Sequence, residues 1–97
     1  MPTVVQRTVT VGSASGLHAR PAALFVKAAA ALPVEVRAIV EGKKPAKTRS
    51  MLMVLALGAK QGTPVTLEAD DDPDGQGQAA VEALAALLAR DLDAEPD

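Results

Sequence analysis

The chain contains no cysteine, tryptophan or tyrosine, and it has one phenylalanine, Phe25, and one histidine, His18. Without cysteine there is neither a disulfide framework nor a thiolate site. One histidine without cysteine argues strongly against zinc, so neither metal nor cofactor is expected. Missing aromatics remove the platforms on which bases stack. A formal charge of −2 leaves no basic footprint for nucleic acid. No apolar run reaches the roughly 20 residues that span a bilayer. The N-terminus lacks the basic, apolar and small-residue order of a secretion signal. These absences lead to the expectation of a soluble, cytoplasmic protein.

What remains is short and aliphatic. Ninety-seven residues, 48% of them apolar, suit one domain with a thin core of alanine, valine and leucine. From Thr3 to Val11 the residues alternate, with Val5, Val9 and Val11 on one face and Gln6, Thr8 and Thr10 on the other. This predicts a half-buried strand. Arg7 falls on its apolar face and so belongs near an edge or snorkels. Gly12 to Gly16 reads as a loop. Pro21, Leu24, Phe25, Ala28 and Leu32 recur at helical spacing, predicting a helix over 19–31 that Pro33 ends. Val34 to Val40 alternates again, Glu41-Gly42-Lys43 reads as a hairpin turn, and Lys43 to Lys47 is a weak strand with Pro45 near an edge. Ser50 opens and Gly58 closes a short apolar helix. Val65, Leu67 and Ala69 mark a further strand. Asp70 to Gly77 reads as an acidic turn into a helix carrying Ala80, Val81, Leu84, Leu87 and Leu88. Those acids suit the positive end of that helix. A frayed acidic tail is expected over about 92–97. The order strand, helix, strand, strand, helix, strand, helix predicts an α+β layer, with helices on one face of an antiparallel sheet and a polar second face.

The stretch that stands out is Ser15-Gly16-Leu17-His18-Ala19-Arg20-Pro21-Ala22. Pro21 suits the first turn of a helix, so His18 falls at or just before a helix N-terminus. Serine, threonine, aspartate or asparagine usually fills that place. The first N–H groups of a helix lack internal partners, and its dipole favours an anion there. The same field disfavours an imidazolium and leaves His18 a lone pair with which to attack phosphorus. Arg20 adds a cation and Ala19 a backbone N–H. A lone histidine is usually structural or merely exposed, but this setting favours a phosphate or anion role. In Ser50-Met51-Leu52-Met53-Val54-Leu55-Ala56-Leu57-Gly58, Val54 and Leu57 can face inward with one methionine. Some of Met51, Leu52 and Leu55 should then form an exposed apolar patch. Ser50 explains itself as an N-cap.

Two motifs in this order, Gly16-Leu17-His18-Ala19-Arg20-Pro21-Ala22 and Ser50 to Gly58, resemble the phosphocarrier protein HPr family of the phosphoenolpyruvate-dependent sugar phosphotransferase system. The resemblance covers nearly the whole chain. It implies an open-faced β-sandwich, a four-stranded antiparallel sheet with three helices on one face, βαββαβα. It implies phosphorylation of His18 on Nδ1 by phospho-enzyme I and transfer to a histidine of an enzyme IIA domain, Arg20 stabilising the phosphoryl group. It implies a monomeric carrier rather than an enzyme. Ser50 matches the serine that an HPr kinase/phosphorylase phosphorylates in many relatives. Met51, Leu52 and Leu55 match partner-contacting positions, and a transcription regulator is a possible further partner. Met53 stands where some relatives have glycine, and the span from Gly42 to Ser50 is one residue longer than the family pattern. The alternative is a regulatory binding module of carbon or nitrogen metabolism, acting mainly through Ser50 and its apolar patch.

Overall fold

A computed structural model describes residues 3–92. The elements, in order, are β1 (Thr3–Thr10), α1 (Ala19–Ala30), β2 (Arg37–Ile39), β3 (Ala46–Lys47), α2 (Met51–Ala56), β4 (Pro64–Asp71) and α3 (Gln76–Ala89). They form one four-stranded sheet in the order β1-β4-β2-β3, every pairing antiparallel. β4, last in sequence, lies inside the sheet between β1 and β2. β1 and β2 therefore run parallel without touching. The three helices cover one face: α3 packs on β1 and β4, α1 on α2 and α3, and α2 on β3. This is the α+β layer that the strand and helix order predicts and the open-faced sandwich that the family resemblance implies.

Alternation decides which face of each strand is dry. Val65, Leu67 and Ala69 of β4 are fully buried, as are Val36 and Ala38 beside and within β2. Phe25 stands on α1 at 0% exposure and is the largest buried side chain. Across the open face, Gln6 and Arg37 both sit opposite Glu68 in the ladder. Gln6 Nε2 and Arg37 Nε donate to its carboxylate at 2.5 and 2.9 Å. Thr8 and Thr66 share a hydroxyl hydrogen bond of 2.8 Å on the same face. The second face is thus polar, and its partners meet directly across strands. Arg7 lies on the edge strand β1 and reaches Glu82 of α3 at 2.6 Å, which resolves its place on an otherwise apolar side.

Several boundaries differ from the sequence reading. β2 keeps only Arg37–Ile39 of the expected 34–40 run, because the chain bends through residues 32–34 after α1. β3 is two residues long and lies at the edge, as Pro45 foretells. The buried stripe of α1 is Pro21, Ala22, Phe25 and Ala29, whereas Leu24, Ala28 and Leu32 are half-buried. Alanines take the tightest places, where a larger side chain would hold the helix off its neighbours. β4 continues to Asp71 because Val4 and Thr3 pair with Asp70 and Asp71. The turn is thereby shortened, and α3 begins at Gln76, before the expected Gly77. Gly75 at its N-cap has no side chain, so the acids supply the cap. Asp71 Oδ1 accepts from Gly77 and Gln78 N–H at 3.0 and 3.2 Å, and Asp72 Oδ1 accepts from Gln76 N–H at 3.0 Å.

The expected frayed tail also needs correction. Leu92 is 1% exposed, and its N–H donates to Ser13 Oγ at 3.0 Å. Asp91 Oδ1 accepts from Ala14 N–H at 3.3 Å. A buried leucine after the helix gives this end a reason to dock that an acidic sequence hides. Residues 93–97 of the expected tail lie outside the described residues.

Candidate functional site

The site is built on the loop between β1 and α1. Ser13 O accepts from Gly16 N–H at 2.9 Å and closes a turn. Gly16 has φ +76, and a Cβ there would lie 2.5 Å from Ala59 O, so conformation and space both require glycine. The next residue, Leu17, is buried at 2% exposure and donates its N–H to Ala59 O at 2.8 Å. An anchored Leu17 forces the following side chain outward. His18 is accordingly exposed and sits at the N-cap of α1 in extended conformation, with φ −145 and ψ 159.

The imidazole makes no capping hydrogen bond to the helix. Its backbone C=O accepts from Ala22 N–H at 3.4 Å, starting the helix. Ala19 follows with φ +50, a conformation that alanine rarely adopts. Arg20 is half-buried in the first turn, and Pro21 is buried behind it. No acidic residue occupies this first turn. An exposed nucleophile, the amides of a 12-residue helix start and a guanidinium therefore lie within one short stretch. That combination can hold and exchange a phosphoryl group.

Ser50 belongs to a different element from the histidine loop. It is the N-cap of α2, and its Oγ accepts from Met53 N–H at 3.2 Å. Its neighbour Arg49 donates to two carbonyls at the C-terminal end of α1, Leu32 O at 2.6 Å and Ala29 O at 3.4 Å. α2 then runs back toward the histidine loop, since Ala59 beyond it holds Leu17. Structure and sequence agree that Val54 and Leu57 face inward, at 0% and 3% exposure. Of the expected patch, Leu52 is 80% exposed, while Met51 and Leu55 are half-buried against the core. Met53, 36% exposed, belongs to the surface too. A six-residue helix resting mainly on Val54 cannot turn every apolar side chain inward.

The family model described as "PTS HPr component phosphorylation site" matches residues 5–90. The chain belongs to the HPr family. The phosphocarrier protein HPr of Streptomyces coelicolor is 43% identical over 94 residues, covering 97% of this chain and 98% of that protein. The HPr-like protein Crh of Bacillus subtilis is 37% identical over 89 residues, 92% of this chain and 100% of its own length. The crystal structure of HPr from Bacillus anthracis superposes with a TM-score of 0.80 at 31% identity, covering 89% of this chain and 98% of that one. The open-faced sandwich described above is thus an HPr fold. Its helical layer includes α1, which begins at His18, and α2, which Ser50 caps, and the two helices pack on each other.

Among the described residues, no group of three potential metal ligands comes together. No helix among them is long and apolar enough to cross a membrane. One feature of the site escaped the sequence reading: Ser13, a loop serine by composition, is buried at 2% exposure and bonded to the end of the chain. Neither loop composition nor spacing signals a contact across 79 residues.

Proposed function

We propose that this chain carries a phosphoryl group on His18 Nδ1 between phospho-enzyme I and a histidine of an enzyme IIA domain, in the cytoplasmic uptake of sugars driven by phosphoenolpyruvate. The observation that supports it most is an exposed imidazole, without a capping bond, at the start of α1. The Nδ1 lone pair attacks phosphorus. The bond from phosphorus to the donor breaks, and the donor keeps its electron pair. The second transfer reverses these roles with His18 as the leaving group. The amide of Ala19, the first-turn dipole and Arg20 offset the charge of the phosphoryl oxygens. An open site suits a carrier, because two partners must reach one nitrogen in turn. It supplies position and electrostatics rather than a closed pocket. Met51, Leu52 and Leu55 give those partners an apolar surface, and the chain acts as a monomer.

Incubation with enzyme I, magnesium and phosphoenolpyruvate should give an acid-labile, base-stable phosphoprotein. His18→Ala should take up no label. Label that survives this substitution would overturn the reading.

A regulatory role is supported by Ser50. It is half-exposed at the start of α2, the helix that carries the exposed Leu52. We propose that an HPr kinase/phosphorylase phosphorylates Ser50 with ATP, with a transcription regulator as a further partner. Ser50→Ala should then lose ATP-dependent labelling while keeping enzyme I-dependent labelling. Uptake from ATP at wild-type level in that variant would remove this role.

A further inference from the structure

The loop that carries His18 is held by the end of α3 and the residues that follow it, 88–92. Ser13 and Thr48 are the two buried polar side chains among the described residues. Thr48 serves the sheet, donating to Val36 O at 2.7 Å. Ser13 instead bonds the C-cap of α3 and the residues after it. Its Oγ donates to Arg90 O at 3.3 Å and accepts from Leu92 N–H at 3.0 Å, so both hydroxyl functions are spent on one segment. Three neighbouring contacts hold the same loop. Gly12 N–H donates to Leu88 O at 3.0 Å, Ala14 N–H reaches Asp91 Oδ1 at 3.3 Å, and Gln61 Nε2 donates to Gly12 O at 3.2 Å. The approach at Gly12 is so close that a Cβ would overlap Ala89 O.

From Ser13 the constraint passes along a short hydrogen-bonded path. The Ser13–Gly16 turn delivers Leu17 to Ala59 O, and His18 follows. Resting on the phosphocarrier reading above, we infer that Ser13 is a positioning residue for phosphoryl transfer at His18, through which residues 90–92 set the loop carrying the imidazole. Ser13 is buried, and the hydrogen bonds of its hydroxyl go to residues 90 and 92 rather than to His18 or α2. Its loss should therefore disturb in-line geometry rather than docking, and small misplacements are costly in such transfers.

The test uses the full chain with Ser13→Ala and Asp91→Ala, the second changing only an exposed side chain. With phospho-enzyme I as donor, Ser13→Ala should lower kcat about threefold to thirtyfold with KM little changed. Asp91→Ala should lower kcat less, in the same sense. Amide exchange supplies a readout that needs no transfer. Gly16 and Leu17 should exchange about fivefold faster in Ser13→Ala, relative to Leu67 in the same sample. A wild-type chain that takes no label refutes the carrier reading and leaves the exchange result to decide whether Ser13 holds the loop. A wild-type kcat in both variants overturns the inference, and so do unchanged relative exchange rates at Gly16 and Leu17.

Discussion

Ala19 has a φ of +50, the one positive value among the described non-glycine residues. Left-handed backbone costs an L-residue about 1–2 kcal/mol, and the neighbours on either side impose it here. Leu17 is anchored before it and Pro21 after it, so the chain must turn sharply between them. Ala19→Gly should relieve the strain and raise stability by up to about 1 kcal/mol, read from urea unfolding. A destabilised variant would show that the alanine is comfortable. A second prediction concerns Glu68. The Gln6 amide and the Arg37 guanidinium hold its carboxyl below the usual carboxylate range, against a smaller opposing effect of burial. A depressed folded-state pKa contributes stability above the unfolded value, and that contribution is lost as pH falls through the folded value. Glu68→Gln should therefore cost stability at neutral pH, and the difference from wild type should shrink in acid. A constant difference from neutral pH into strong acid would contradict this.

At the scale of the element, α2 is too short to be stable alone and depends on its ends. Ser50 caps one end, and Gly58 leaves the other at φ +60, with its N–H donating to Leu55 O at 3.1 Å. Ser50→Ala should cost about 1 kcal/mol through the lost bond to Met53 N–H, measured by thermal or urea unfolding. A phosphate on Ser50 would instead suit the helix start while placing charge on the rim of the apolar surface. On the phosphocarrier reading proposed above, such a charge would weaken the docking of a partner on α2. Arg49 ties this same helix start to Ala29 O in the last turn of α1 and to Leu32 O just beyond it, the end at which a cation is favourable.

For the whole molecule, the decisive feature is closure at the chain ends. β1 pairs with the last strand, and the segment after α3 returns to the loop after β1. Leu92 completes this closure at 1% exposure. Leu92→Ala should destabilise the protein by about 2–5 kcal/mol, lowering its thermal midpoint, with the circular dichroism of the folded state retained. A shift no larger than that of an exposed residue would mean that the chain end is dispensable.

Much of this was legible along the chain. Alternation identified the inward valines of β4, serine and glycine bracketed α2, and Gly16 to Pro21 placed His18 at a helix start, because each signal is carried by residues within a turn or two of one another. Sequence reasoning missed what depends on distant partners. The extension of β4 to Asp71 comes from pairing with Thr3 and Val4, the stripe of α1 is set by its neighbours, and the docked Leu92 answers to Ser13. Local chemistry determined where a helix begins and which residue stands there as the candidate nucleophile. Only the packed chain decided how the loop before it is held, since Ala59 and residues 90–92, which bond to that loop, lie far from it in sequence.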